Sequence, residues 1–163
     1  MFKIKLSILL LISFFIFSCS KNQNDTFDQK YSLAYIGGDF DGLLLKNYLQ
    51  SRLKNLNILD PNSNFEIRAN IIHNSSVYIT NIDNTSDREK ISTTLSFQIV
   101  DTFFDCLLLS EEINVSQFYI YAPSDKFLSN LAAVNKIKKI NTESAVQTLT
   151  NIIRNSPNKC DEN

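Results

Sequence analysis

The 163-residue chain is poor in the residues from which catalytic and metal sites are usually built. It has one histidine, three cysteines and three glycines. No cysteine or carboxylate cluster lies near His73 in the sequence, so we interpret it as a polar residue at a strand end, not as a metal ligand or general base. The chain has no Gly-x-Ser-x-Gly nucleophile elbow and no glycine-rich phosphate loop. We therefore expect a protein that is not an enzyme and that needs no cofactor and no metal.

Long apolar runs are also scarce, and the one that is present lies at the amino terminus. Lys3 and Lys5 precede the nearly continuous apolar run 8–17, which ends at Ser18 and Cys19. A basic start, a short apolar stretch and a small residue before the cleavage point are typical of an export signal. The run is shorter than the roughly 20 residues that span a bilayer comfortably. Beyond Cys19, no stretch is apolar for long enough to cross a membrane.

The end of this signal resembles the lipobox of bacterial lipoproteins. In such proteins a diacylglycerol is attached to the cysteine, and cleavage makes that cysteine the first residue. The resemblance implies that residues 1–18 are a signal peptide and that Cys19 carries acyl chains such as palmitate, although Phe17 is bulkier than usual at its position. At about 0.8 kcal/mol per buried methylene, two or three chains form an effectively permanent anchor. The alternatives are a plain secretory signal or a short anchor helix with an incidental cysteine.

Charge and the residue after Cys19 limit the location and the partners. Removing the signal removes two lysines, so the net charge changes from −1 to −3. A mildly acidic chain is unsuited to nonspecific nucleic-acid binding, and we expect no nucleic-acid partner. Ser20 is not the aspartate that typically retains lipoproteins at the inner membrane. We therefore expect lipid anchoring at the periplasmic face of the outer membrane of a Gram-negative bacterium.

The two remaining cysteines leave two alternatives open. An oxidising compartment permits a disulfide between Cys106 and Cys160. Alternatively, Cys106 is a buried thiol and Cys160 is a thiol in a polar tail. The separation of the two residues cannot be read from the sequence.

Hydrophobic periodicity predicts a short strand at 31–36 and then a helix. Asp39 or Asp41 is expected to cap this helix, and the two carboxylates alone are weak support for a cation site. Arg52 and Lys54 fall in its last turn, where positive charge suits the helix dipole. Its apolar stripe comprises Phe40, Leu44, Leu45, Tyr48, Leu49, Leu53 and Leu56.

Three alternating strands and a long helix follow. The first strand begins at Phe65 and is predicted to be interrupted at 74–76, with a polar loop at 81–87. In the second strand Ile91, Thr93, Leu95, Phe97 and Ile99 alternate with Ser92, Thr94, Ser96 and Gln98. A hairpin turn at 101–105 leads to the return strand. The last helix, with a cap at Ser124 or Asp125 and an end before Pro157, carries the stripe Phe127, Leu131, Val134, Ile137, Asn141, Ala145, Leu149 and Ile152.

Two features of this last helix carry further expectations. Asn141 interrupts the apolar stripe and predicts a kink. Lys136, Lys138 and Lys139 are expected on its solvated face.

These elements bury one another most simply as an α+β domain with two layers: a four-stranded, mostly antiparallel sheet with two helices on one face. The predicted organisation is a signal peptide at 1–18, a flexible lipidated tether at 19–29, the domain at 30–157 and a polar tail at 158–163. The chain shows no internal repeat.

The order of elements and several segments resemble the lipopolysaccharide-assembly lipoprotein family LptE. The segment from Arg88 to Asp101 looks like the central strand of that family, in which an arginine precedes an alternating strand. The segments 115–119 and 124–127 resemble the approach to its C-terminal helix, and the helix within 38–53 also fits its place. The C-terminal helix itself is matched by Ala132, Ala133, Ala145, Leu149 and Ile152. The hairpin lacks the glycine of the family, and the loops are rich in Asn and Ile.

The resemblance implies a lipoprotein that plugs the outer-membrane barrel LptD, helps it assemble and contacts lipopolysaccharide. The polar row from Ser92 to Gln98 would then face a polar barrel lumen, and the alternative is an ordinary solvated sheet face. Arg88 and Lys90 are candidate contacts for lipopolysaccharide phosphate, and the alternative is charge for solubility. The competing function is a periplasmic lipoprotein that binds a small hydrophobic ligand between sheet and helices without a barrel partner.

Overall fold

The computed structural model of the protein describes residues 29–79, 87–120 and 127–155. The predicted order of elements is confirmed: strand, helix, three strands, helix. The signal peptide, Cys19, most of the tether, the cap predicted at Ser124 or Asp125, and the polar tail lie outside the described residues. The elements are β1 (Ser32–Gly37), α1 (Asp39–Asn55), β2 (Phe65–Ile79), β3 (Asp87–Asp101), β4 (Cys106–Ile120) and α2 (Phe127–Arg154).

The four strands form one sheet in the order β1-β2-β3-β4. β1 and β2 are parallel because α1 carries the chain back between them, whereas β2, β3 and β4 are antiparallel neighbours. The predicted mostly antiparallel sheet with two helices on one face is confirmed. The predicted interruption at 74–76 is wrong, since β2 is continuous and pairs with β3 from Phe65 to Ile79. Fifteen residues of ladder outweigh the low strand propensity of Asn74 and Ser76.

The core lies between the helical layer and one face of the sheet. Leu45, Leu49 and Leu53 of α1 have no exposed surface, and the stripe predicted for this helix is confirmed except for Phe40, which is exposed. Opposite the helices, the inward row of β3 is buried as the alternation predicts. The sheet and α2 supply Ile67, Ala69, Ile71, Leu95, Phe97, Ile99, Ala145, Val146, Leu149 and Ile153 to the same cluster.

The junction between β1 and α1 depends on glycine. Gly38 is the residue before the helix and has φ 116°, and a Cβ built on it would lie 2.5 Å from the Ile71 carbonyl oxygen. Such a backbone angle suits glycine alone. No side chain caps the helix, so the predicted capping by Asp39 or Asp41 is wrong. Both aspartates lie in the first turn, where they favour the helix dipole, and Arg52 and Lys54 lie in the last turn as predicted.

The β3–β4 hairpin turn is confirmed and is held by side chains in place of a glycine. Asp101 is buried, and its Oδ1 accepts hydrogen bonds from the backbone N–H groups of Phe103 (2.9 Å) and Phe104 (3.3 Å). Thr102 donates from its N–H (2.9 Å) and its hydroxyl (3.0 Å) to the carbonyl oxygen of Asn64. Asp105 takes the positive φ of 50° that a glycine would otherwise supply.

The turn lies on what we call the tether edge, the edge of the sheet at which β1, β2 and β4 begin and β3 ends. Lys30 directly precedes Tyr31 and β1 on this edge, and its carbonyl oxygen accepts a 2.6 Å hydrogen bond from the Ser63 hydroxyl. Cys106 begins β4 on the same edge and is disulfide-bonded, which excludes the buried free thiol. The other two cysteines, Cys19 and Cys160, lie outside the described residues.

Helix α2 is continuous through Asn141, and apart from Asn130 its buried residues begin at Ile137. From Ile137 onward its buried positions follow one face. Before that point Phe127, Leu128 and Leu131 are exposed, although the apolar stripe predicted two of them to be buried. Neither helix in the described ranges has the length and apolarity of a membrane span.

Candidate functional site

One face of the sheet is covered by neither of the two described helices, and we call it the open face. Alternation along β2, β3 and β4 sends every second side chain to it, and register places these residues beside one another. The predicted outward row of β3 is confirmed. The central rows of the open face consist mainly of hydroxyl, amide and charged side chains: Arg68, Asn70, Asn74, Ser92, Thr94, Ser96, Gln98, Ser110, Glu112, Asn114 and Ser116.

Some of these side chains bond to one another and leave further polar groups available. The Thr94 hydroxyl donates to Asn114 Oδ1 at 2.7 Å, and Asn114 Nδ2 donates to Glu112 Oε1 at 2.9 Å. Arg68 pairs with Glu66 at 2.9 Å, with its side chain nearly half exposed. A shallow depression of about 210 Å³ lies beside Arg68 and is lined by Tyr35, Ser96 and Gln98. The face is therefore suited to many weak polar contacts.

Arg88 and Lys90 lie at the far end of this face, away from the tether edge. Both are an even number of residues from Ser92, so their side chains project from the same side of β3, on the open face. Arg88 is exposed, and the Lys90 ammonium lies 5.9 Å from the centroid of the Phe118 ring, an arrangement of the cation–π type. Between them, Glu89 points to the other face and accepts hydrogen bonds from the hydroxyls of Ser75 and Tyr119. The structure thus places two cations on the open face at its far end, while their role toward lipopolysaccharide remains a prediction.

A polar cluster lies on the helical side, inside the core. Thr93 is buried between two polar residues. Its hydroxyl is 2.7 Å from His73 Nδ1, and Asn141 Nδ2 donates to it at 3.1 Å and to the Ile91 carbonyl oxygen at 3.2 Å. Asn141 thereby connects α2 directly to β3. Asp41 completes the cluster from α1, with Oδ2 at 3.9 Å from His73 Nε2 and 3.3 Å from Lys138 Nζ.

Burial determines what this cluster does chemically. Burial lowers the pKa of the His73 ring below its ordinary value; the Asp41 carboxylate opposes that shift, and the Lys138 ammonium adds to it. The order Thr93–His73–Asp41 is that of a nucleophile, a base and an orienting acid. However, Thr93 has no exposed surface and only 1% of the His73 side chain is exposed, so a substrate cannot reach either group in this structure. The cluster joins the helices to the sheet.

The sequence interpretation missed this cluster and misplaced two of its members. His73 does not end a strand; it lies within β2 on the inward row that begins at Ile67. Lys138 is partly buried against Asp41, whereas Lys136 and Lys139 are exposed as predicted. The sequence does contain an indication of this cluster, because positions 73, 93 and 141 are polar although each lies in an otherwise apolar row. In the described ranges, no three His, Cys, Asp or Glu side chains are grouped so as to hold a metal ion.

Sequence comparison adds no family to this description. No protein-family model matches the chain, and no curated protein matches its sequence.

Structure comparison identifies the fold. A minor lipoprotein from Acinetobacter baumannii is similar over 80% of this chain and 96% of that protein, with a TM-score of 0.59 and 17% identity. An uncharacterized lipoprotein B from Nitrosomonas europaea is similar over 83% of this chain and 86% of that protein, with a TM-score of 0.58 and 14% identity. The rare lipoprotein B of Shewanella oneidensis is similar over 74% of this chain and 92% of that protein, with a TM-score of 0.57 and 13% identity. At these identities the likeness concerns the fold alone: the chain folds as these bacterial lipoproteins do.

Proposed function

We propose that the protein is a non-enzymatic outer-membrane lipoprotein, anchored through Cys19, that docks inside the LptD barrel and assists its assembly in lipopolysaccharide transport. The observation that carries the proposal is the open face, a wide polar sheet surface that no part of the described chain covers. The lumen of an outer-membrane barrel is polar, and the hydroxyl, amide and charged groups in the central rows of the open face match it. The lipoprotein fold and the predicted signal support the same assignment.

The competing function, binding of a small hydrophobic ligand between sheet and helices, has little support. That space is filled by side chains with no exposed surface, among them Leu45, Leu49 and Leu53 facing Leu95. A ligand of useful size needs a cleft of about 300 Å³ or more with apolar walls. Opening one here would require separating a packed core.

Copurification tests the barrel partnership. Full-length acylated protein with a tag on its C-terminal tail, extracted in mild detergent, is expected to recover one large barrel in a fixed ratio. Ser96→Arg on the open face is expected to reduce that recovery at least tenfold, because the long side chain would obstruct close contact at a docking surface and its charge would lose water there. Glu112 lies opposite Ser96 in the register, so the new arginine has a partner in the free protein and folding is preserved.

The matched control is Ser51→Arg on the exposed side of α1, which adds the same charge away from the open face. Equal recovery of the barrel by both variants would mean that the open face is not the surface that docks in the barrel. Recovery of no barrel by the unaltered protein would refute the proposed function itself.

Lipid anchoring requires its own experiment. Cys19→Ala is expected to abolish acylation and membrane association while the unfolding midpoint of the domain is unchanged. Mass spectrometry of the processed amino terminus checks the acyl chains directly. An unacylated mature amino terminus would contradict the assignment as a lipoprotein.

The two cations at the far end of the open face are the proposed contacts for lipopolysaccharide phosphate. The double variant Arg88→Ala, Lys90→Ala is expected to retain barrel recovery but to weaken binding of purified lipopolysaccharide by tenfold or more, about 1.4 kcal/mol. Lys136→Ala, Lys139→Ala on α2 removes two exposed lysines elsewhere and serves as the control. Equal effects of the two double variants would indicate nonspecific charge attraction.

A further inference from the structure

We propose that the β3–β4 turn is a membrane contact: the rings of Phe103 and Phe104 sit among the lipid headgroups of the leaflet that holds the Cys19 acyl chains. This inference rests on the lipid anchoring in the proposed function, and it needs no barrel. The occupant of the surface is a phospholipid bilayer.

The exposure of the two rings is an ordered feature of the fold. Phe103 is 73% exposed and Phe104 is 69% exposed, and their ring centroids lie 4.9 Å apart in an edge-to-face arrangement. The turn beneath them is fixed by Asp101 and Thr102 through the hydrogen bonds described above. Leu107, on the following strand, adds another exposed apolar side chain at 57%. Two aromatic rings held outward on a fixed turn form an apolar tip on an otherwise polar edge.

The position of the turn connects it to the anchor. Thr102 bonds to Asn64, and Ser63 next to it bonds to the Lys30 carbonyl, so the turn and the start of the folded chain share the tether edge. Nine residues, 20–28, lie between the expected acylated Cys19 and the first described residue, Gln29. A chain of that length spans at most about 35 Å. The tether edge is therefore the part of the domain held within that distance of the bilayer surface.

The chemistry of the tip suits headgroup depth and not the bilayer interior. Phe side chains on membrane-surface segments enter the boundary between headgroups and acyl chains, and each ring contributes a large apolar area. Asp105, next to Phe104, is exposed and keeps its carboxylate in water or among headgroups. Since acylation already holds the domain at the surface, two rings suffice to orient it. The far end, with Arg88 and Lys90, would then point away from this leaflet.

The test uses the absence of tryptophan from the chain. Phe104→Trp places one fluorophore at the turn, and Phe118→Trp places one at the far end of the sheet as a matched control. Each full-length acylated variant is reconstituted into vesicles of phosphatidylethanolamine and phosphatidylglycerol, with and without bromine on the upper acyl chains. We expect blue-shifted emission and about twofold quenching by brominated lipid for Phe104→Trp, and neither for Phe118→Trp.

Two results would overturn the inference: water-like, unquenched emission from Phe104→Trp in a preparation whose acylation is verified, or equal quenching of both tryptophans. If Phe104→Trp fails to fold by circular dichroism, Phe103→Trp provides the same reading from the neighbouring exposed position. Because the vesicles contain no barrel, failure of copurification with LptD leaves this result unaffected. The two proposals therefore fail separately.

Discussion

His73 Nε2 lies 3.9 Å from Asp41 Oδ2, near enough for charge attraction and too far for a hydrogen bond. Nε2 is buried and has no hydrogen-bond partner among the described residues. The ring is therefore held neutral inside the core, where protonation would bury an additional charge beside Lys138. A neutral histidine beside a carboxylate that is already paired makes the fold sensitive to acid.

The first prediction is a loss of stability between pH 7 and pH 5. The pKa of His73 is lowered in the folded protein, whereas in the unfolded chain it is about 6.5. At pH values above 6.5, His73 is neutral in both the folded and the unfolded chain, and the free energy of unfolding has its full value. As the pH falls through 6.5, the unfolded chain gains the proton first, so the free energy of unfolding decreases by up to about 1.4 kcal/mol per pH unit.

Urea unfolding followed by circular dichroism at the two pH values measures this loss. The chain has one histidine, so His73→Gln is expected to flatten the dependence in this window, above the pKa of ordinary carboxylates. If His73→Gln keeps the slope of the unaltered protein, the histidine is not its source.

A second prediction concerns the side-chain bond between α2 and β3. Asn141→Ala removes the hydrogen bonds to Thr93 and to the Ile91 carbonyl and leaves buried polar groups without a partner. The expected cost in unfolding free energy is about 2–4 kcal/mol. Gln147→Ala, an exposed position on the same helix, is the control and should change little.

A double-mutant cycle with Thr93→Val isolates the contact. We expect the double variant to be less destabilised than the sum of the single variants by about 0.5–2 kcal/mol. Strict additivity would mean that the contact with Thr93 adds nothing to stability, and that Asn141 contributes through packing and its hydrogen bond to the Ile91 carbonyl oxygen.

The third prediction is that Gly38→Ala destabilises the domain by about 2–4 kcal/mol. The backbone φ of 116° strains any side-chain residue, and the added methyl group would meet the Ile71 carbonyl oxygen. Thermal unfolding measures the loss, with Gln50→Ala on the exposed side of α1 as the control. A stability within about 0.5 kcal/mol of the unaltered protein would show that the junction relaxes more easily than the geometry implies.

The fourth prediction concerns the disulfide of Cys106. With Cys19 acylated, Cys160 is the expected partner, and Cys106→Ser should lower the free energy of unfolding by about 2–4 kcal/mol. Treatment with a reducing agent should lower the stability of the unaltered protein similarly and leave the variant unchanged. Cys160→Ser is expected to behave in the same way. If it leaves the effect of the reducing agent intact, the pairing is different.

Much of the fold was predictable because an element that is buried on one face has a regular spacing of apolar residues in the sequence. The alternation from Ile91 to Ile99 has a period of two and predicted both faces of β3 correctly. Local composition was misleading where long-range pairing decides, as at 74–76, where the ladder with β3 carries β2 through polar residues. The stripe of α2 failed at Phe127 for a similar reason: periodicity shows which side of a helix is apolar, not whether the sheet extends beneath it.

The buried cluster was the least predictable feature. Asp41, His73 and Lys138 come from three elements and are separated by dozens of residues, so no local spacing brings them together. Asp41 was interpreted as a cap because its position at a helix start is the usual site of caps. The structure uses it for a contact across the core instead.

The short first strand has a consequence for how the protein is produced. β1 pairs with β2 only as far as Asn70, so from Ile71 onward β2 has β3 as its only partner among the described strands. An uncovered strand edge is a template for pairing with another chain. Copies produced in excess of the partner that covers this edge would therefore be prone to aggregate on the membrane surface. Expression of the protein at the level of that partner would avoid such aggregation.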